Sequence, residues 1–333
     1  MASRSQSAHK ASLRTEPGLR KLAIHGSLVE IDCKVPAFEP TLGRLLGSFA
    51  ANDWPQGSSV THGSILPYDQ AEVVRRLPPT AQPLHRPGDL TEMYALDERA
   101  WLIDDRWGLC EINVLRGQWR SWILPQVQID PVKLADNAVF RPLAQLLKNR
   151  GLHLLPAMSV ARNHFAVLIL SPFGLEQELA AMLAKGYCVV GQRWTCVREE
   201  KDKIALLHMP GLVRQKQGSP SAPESANQWV DLTAANPAVC LQHAKCNAVV
   251  VVDAGRRSKP TLREWSATDA ATVLRLSWPI PELHPQRRQS QSQIATRLAQ
   301  SCPCFQVQLT RDANDLPALL ESIRSASPMP KAA

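Results

Sequence analysis

The sequence predicts an α/β protein. It should hold a mixed sheet with flanking helices over residues 139–325, preceded by a smaller α+β lead domain over residues 22–138. Residues 1–21 read as a basic disordered tail and residues 326–333 as a second short tail. Three observations carry this reading. Residues 168–187, LILSPFGLEQELAAMLAKGY, are an apolar β run, a tight Gly-containing loop and an amphipathic helix. Residues 248–255, AVVVVDAG, are a continuous apolar run of the kind buried on both faces of a parallel sheet. Between residues 90 and 125 four short alternating segments are separated by turn residues, which is the pattern of an antiparallel meander.

After the tail, LAIHGSLVEIDCKV is β-branched and alternating enough for one or two strands. PTLGRLLGSFAAN has apolar residues at helical spacing behind a proline, and QAEVVRRL is a further short helix. The proline-rich PPTAQPLHRPGD is a linker or extended wall. The meander strands are TEMYALD, RAWLIDD, GLCEINVL and QWRSWILP, and they concentrate Trp101, Trp107, Trp119 and Trp122 as a core or a stacking surface. FRPLAQLLKNRGL predicts a helix with a Gly stop, reached by a short connection from Pro125. HLLPAMSVARNHFAVLIL predicts a hairpin turning at residues 162–164. YCVVGQRWTCV and IALLHMP are strands around the polar turn REEKDK, and QKQGSPSAPESANQW has the composition of a mobile loop. Ser266 and Asp269 resemble a capping box opening SATDAATVLRL. QSQIATRLAQS is helical, CFQVQLT is a strand, and DANDLPALLESIRS is the last helix.

With 333 residues and 44% hydrophobic content the chain is long enough for one large or two modest cores. No run of about 18 apolar residues occurs, and the N-terminal segment lacks the apolar stretch of a secretory signal, so a cytoplasmic location is expected. The net charge is +8, but residues 1–21 supply +4 of it, so the remainder shows no basic stripe interleaved with aromatics. Eight scattered cysteines fit reduced thiols packed as small hydrophobes. Cys240, His243 and Cys246 in CLQHAKC stand at metal-like intervals but run straight into an apolar strand without a knuckle, and no metal is expected.

From about Phe140 onward the segment order resembles the HPr kinase/phosphorylase family and its related group, in the PEP-carboxykinase-like branch of P-loop folds. The resemblance rests on RGLHLLPAMSV, AVLILSPFG, LAKGYCVV, GQRWTCV, HMPGLVR, NAVVVVD, PTLREWSATDAATVL and FQVQLTRD, spread over about 185 residues. It implies the α/β fold of that family, its oligomeric assembly and its grip on a small protein substrate. It also implies a phosphate loop of the form G-x-x-x-x-G-K-[ST], whose lysine reaches the β and γ phosphates and whose hydroxyl holds Mg²⁺. Here the loop reads Ser171, Pro172, Phe173, Gly174, Leu175, Glu176, Gln177, Glu178, and neither alignment register supplies a cation. The family's aspartate pair falls on Gln192 and Arg193, and its histidine before the hairpin falls on Pro156.

The resemblance and its departures together lead to a catalytically inactive HPr-kinase-like protein, pseudokinase-like, with a degenerate phosphate loop. Its expected role is as a binding or assembly module for a protein partner or for itself, with no cofactor, no membrane and no nucleic acid. Glu176 and Glu178 at a helix N-terminus satisfy the dipole and oppose a triphosphate. Arg193 either pairs with one of them, filling the vacated phosphate site, or merely caps a surface. The Trp-rich meander and the loop around Ser219 are candidate contact surfaces. The alternative is a phosphotransferase or nucleotide- or anion-binding protein with an altered loop, bringing His153, Arg162, His164, His208 and Arg214 around the site and using ATP and Mg²⁺. A nucleic-acid reading would use the basic tail with Arg256, Arg257, Lys259, Arg287 and Arg288.

Overall fold

The computed structural model describes residues 18–51, 54, 58–84, 90–127, 129–201, 203–216, 227–231, 236–253, 255, 257–282 and 285–326. Their strands form two large mixed sheets with flanking helices, which is the α/β class read from the sequence. The first sheet contains β1 (Leu19–Ile24), β2 (Ser27–Cys33), β3 (Val60–Pro67), β4 (Gln82–Leu84), β5 (Glu92–Leu96), β6 (Arg99–Asp104), β7 (Gly108–Asn113) and β8 (Gln118–Ile123). Their spatial order is β1-β2-β3-β8-β7-β6-β5-β4. β5 to β8 are the expected antiparallel meander. Its four tryptophans are 0–1% exposed, so they are core and not a stacking platform.

β3 has no counterpart in the sequence reading. It runs parallel to both β2 and β8, and Gly63 at its centre carries the ring of Trp119 directly on the backbone. A Cβ there would stand 2.1 Å from the ring, so any side chain would displace it. α1 (Glu39–Leu46) and α2 (Gln70–Val74) cover this sheet in the two places expected.

A helical run then crosses between the sheets, and it corrects the sequence reading. It begins at Pro131, not at Phe140: α3 (Pro131–Ala135) passes through a π-helical segment (Asp136–Phe140) into α4 (Arg141–Leu147) and a final 3₁₀ turn (Lys148–Arg150). Asp130 caps the start by accepting the Val132 N–H at 2.8 Å, with Pro131 at the first helical position, and Gly151 stops the run at φ 69°. The Ala138 carbonyl in the π segment accepts both the Trp119 indole N–H (3.0 Å) and the Ser121 hydroxyl (2.8 Å) of β8. One apolar cluster therefore extends from Ile31 and Trp119 through Phe140 and Leu143 to Leu154 and Leu207 of the second sheet.

The second sheet contains β9 (His153–Leu155), β10 (Met158–Arg162), β11 (Phe165–Leu170), β12 (Cys188–Gly191), β13 (Thr195–Glu200), β14 (Lys203–Leu207), β17 (His243–Val252), β18 (Thr261–Trp265) and β19 (Cys304–Gln308). β17 is its spine, parallel to β11 on one side and β19 on the other, and antiparallel to β14 through its first residues. All six residues of β11 are buried, because α5 (Glu176–Ala184) and α8 (Asp315–Ala326) cover one face while α6 (Ala267–Ser277) and α7 (Pro285–Ser301) cover the other. β15 (Leu212–Lys216) and β16 (Asn227–Asp231) form a separate hairpin; the intervening residues, Ser219 among them, lie outside the described residues. TLREW, read from the sequence only within a longer segment, is β18 and pairs antiparallel with β19; α6 opens where the capping box was expected, the Ser266 hydroxyl accepting the Asp269 N–H at 3.1 Å.

Candidate functional site

β11 and β17 end side by side in parallel, and the backbone of residues 171–175 connects β11 to α5 there. Crevices beyond the carboxyl ends of parallel strands are the general ligand location in open α/β sheets. A cleft of about 550 Å³ opens at this point. Six of the eight loop residues line it: Ser171, Pro172, Phe173, Gly174, Leu175 and Glu176. So do Pro156, Gln192 and Arg193, the positions where the resemblance places the family's histidine and aspartates. Gln177 is exposed and Glu178 is 2% exposed; neither lines the cleft.

The loop is shaped by its own groups. Ser171 Oγ accepts the Phe173 N–H at 3.3 Å. Leu175 stands at the cap position of α5 without a side-chain cap bond. The Glu176 carboxylate folds back onto Gly174: a Cβ at Gly174 would stand 2.3 Å and 2.7 Å from its two oxygens. A carboxylate of the chain thus lies over the glycine of the loop.

The facing wall holds a salt bridge, and its partner corrects the sequence reading. Arg193 Nη2 donates to Asp136 Oδ2 at 2.5 Å, and Trp194 Nε1 donates to Asp136 Oδ1 at 2.6 Å, so both carboxylate oxygens are engaged. Arg193 forms no ion pair with Glu176 or Glu178, because the π segment sets Asp136 nearer to it than α5 sets either glutamate. Burial disfavours the guanidinium charge, but contact with Asp136, and then the fields of Glu176 and Asp130, outweigh it and raise the pKa of Arg193. Phe140 stacks on Trp194 at 5.6 Å between ring centroids and 19° between planes, which fixes the ring that orients Asp136. Gln192 presses its amide against Gly211, where a Cβ would lie 2.7 Å from Oε1. Lys133 of α3, exposed, completes the rim.

Among the described residues the basic cluster expected around this site does not form. His164 and Asn163 make the β10–β11 turn in the left-handed region, at the far end of a strand about 20 Å long. Arg162 donates to Glu321 of α8 at 2.8 Å. His153 is buried against Trp278, and burial with the nearby Lys148 charge lowers its pKa to about 4. His208 donates through Nδ1 to the Val190 carbonyl at 2.9 Å and stands beside Phe49, at the end of the 3₁₀ turn (Gly47–Phe49) that follows α1. The side chain of Arg214 lies outside the described residues. Nor are Arg287 and Arg288 free for nucleic acid: Arg287 pairs with Glu98 and Glu282, and Arg288 Nε donates to the Glu282 carbonyl at 3.0 Å. The basic tail and Arg256 lie outside the described residues.

Sequence reasoning missed Lys133 and Asp136 because it started the helix at Phe140. The Asp130–Pro131 pair, a cap residue followed by proline at the first helical position, was the available signal. His243 and Cys246 of CLQHAKC are both part of β17; the His243 ring meets Glu200 at 3.1 Å, and Cys246 Sγ lies 3.8 Å from Cys302 Sγ.

No family model and no curated protein matches this chain. Among solved structures it is similar to the HPr(Ser) kinase/phosphatase from Coxiella burnetii. That likeness has 11% identity and a TM-score of 0.31, over 52% of this chain and 95% of the other. It assigns no residue a role. Among the described residues no helix is long and apolar enough to cross a membrane.

Proposed function

We propose that this chain is a catalytically inactive HPr-kinase-like protein that serves as a binding or assembly module for a protein partner or for a second copy of itself. The observation that carries this reading is the Glu176 carboxylate lying on Gly174, in the part of the loop where a phosphate would have to approach the backbone. Two further features support it. The loop carries no lysine, and Arg193, the cation nearest to it by resemblance, has its charge answered by Asp136. A Mg²⁺-nucleotide would meet a carboxylate where it needs a cation, and would have to compete with an intramolecular ion pair for the arginine.

Thermal unfolding of the full chain with Mg²⁺-ATP and Mg²⁺-ADP tests this. A nucleotide held at about 100 times its Kd would add about 2.7 kcal/mol to stability. The expected result is an unchanged midpoint for both, with no γ-phosphate release. A raised midpoint abolished by substitution of Lys133 or Arg193 would replace this reading with the second one, an anion or nucleotide site of altered form. That second reading is favoured by the cleft itself, which at about 550 Å³ stays open beside Gly174 and has Lys133 on its rim.

A further inference from the structure

The charges around the cleft are unequal in status. Asp136 has both oxygens engaged by Arg193 and Trp194, so that pair contributes no net charge. Lys133 and Glu176 differ: each lines the cleft, and neither forms an ion pair with the other or with any described residue. One cation and one anion without an ion pair among the described residues therefore face the same space from different elements, α3 and the start of α5, and Glu176 also lies in the field of Arg193. Met158, Ile169, Leu179 and Phe173 contribute apolar surface to the same lining.

A polyanion placed here meets Glu176, and a polycation meets Lys133. A molecule with one carboxylate and one ammonium meets neither repulsion and satisfies both groups. We propose that the cleft binds a small zwitterion of the amino-acid or short-peptide class with an apolar side chain, its carboxylate toward Lys133 and its ammonium toward Glu176. The volume fits: about 550 Å³ lies within the roughly 300–1,000 Å³ of pockets that enclose small organic ligands. In such sites apolar surface supplies affinity and the charged groups fix orientation. The inference rests on the preceding reading that the cleft does not serve phosphoryl transfer.

The test is calorimetric titration and thermal unfolding of the full chain with L-leucine, L-phenylalanine and leucylleucine, each compared with its N-acetyl and C-amide derivatives. At least one zwitterion should bind, and blocking either end should weaken it by about tenfold or more. Glu176→Gln should weaken the zwitterion by a similar factor while removing the difference between it and its N-acetyl form. Lys133→Gln should do the same for the amide. Both positions lie on the surface of their helices, and circular dichroism of each variant checks that it is folded. The inference is overturned if no zwitterion acts at millimolar concentration, or if the blocked forms bind as well as the free ones. Zwitterions without effect and Mg²⁺-ATP also without effect would overturn this inference alone; a Mg²⁺-ATP shift with γ-phosphate release would overturn the preceding reading as well.

Discussion

Replacing Asp136 by Asn removes the charge that holds Arg193 and keeps an oxygen for the Trp194 indole, so the loss falls on one contact. The Arg193 side chain is 29% exposed and that of Asp136 is 19% exposed. Removing one partner of a fully buried ion pair costs about 3–5 kcal/mol, whereas an exposed pair is worth about 0–1 kcal/mol. A pair with most of its surface out of water belongs between these, at about 2–3 kcal/mol. Unfolding entropy of about 2.1 cal/mol/K per residue amounts to about 0.7 kcal/mol/K for the whole chain, so the midpoint should fall by about 3–4 °C. A double-mutant cycle with Arg193→Gln should show the two losses overlapping by about 1–2 kcal/mol. The variant should also gain something: with Asp136 neutral, Arg193 is an unanswered cation in the cleft, and inorganic phosphate should raise the midpoint of Asp136→Asn but not of the native protein. An Asp136→Asn midpoint equal to wild type, or strictly additive losses, would show that Asp136 does not anchor Arg193 and that the neutral wall of the cleft is misread.

Three further outcomes are expected. Glu321 receives hydrogen bonds from Tyr187 (2.6 Å), Arg324 (2.7 Å) and Arg162 (2.8 Å); burial opposes its ionisation, but these donors win and hold its pKa at about 2, below the ordinary glutamate value of 4.5. A depressed carboxyl stabilises the fold above its unfolded pKa, so the stability gap between wild type and Glu321→Gln, about 1–2 kcal/mol, should be full above pH 4.5 and close as pH falls toward 2 in acid-unfolding curves. Gly63→Ala would force a methyl into the Trp119 ring and should cost about 1–3 kcal/mol in urea unfolding, with altered near-ultraviolet circular dichroism; an unaffected variant would mean that the ring is not seated on the strand. Burial pushes the thiols of Cys33 up to about 11 and of Cys110, Cys196 and Cys304 to about 12, so peptide mapping after brief alkylation of the native protein should find label at the partly exposed Cys188 and Cys240 and at the others only after unfolding.

What could be read from the sequence followed the strength of its periodicities. The meander was legible because four alternating segments are separated by three short turns between residues 90 and 125, and the AVVVV run because a strand covered on both faces is apolar on both. β3 was not legible: VTHGSILP has a glycine at its centre and weak alternation, and its place is set by the Trp119 ring and by parallel neighbours far away in sequence. β18 was hidden for a related reason, since TLREW is mostly exposed and is held as a strand by β19 alone. At the cleft, the loop itself could be named from its residues, but its facing wall could not. Asp136 reaches Arg193 only because a π-helical segment places it there, and nothing in the string DNAVF announces that geometry.

The strand, loop and helix around Gly174 do not need a ligand to persist. Leu175, Leu179 and Met182 are 7%, 2% and 0% exposed, packed with Val167, Ile169 and Val250 of the sheet and with Leu316 and Leu320 of α8. Burying side chains of this size contributes about 1.5–3 kcal/mol each. The electrostatic gain from an acidic residue in the first turn is smaller, about 0.3–1 kcal/mol. The position of α5 is therefore decided by its apolar face, and the residues at its N-terminus can change sign without moving the helix. That asymmetry is why a strand, loop and helix of this shape can stand with two carboxylates in the first turn of the helix, and why the layout alone says less about chemistry than the charges of Glu176, Arg193 and Asp136 do.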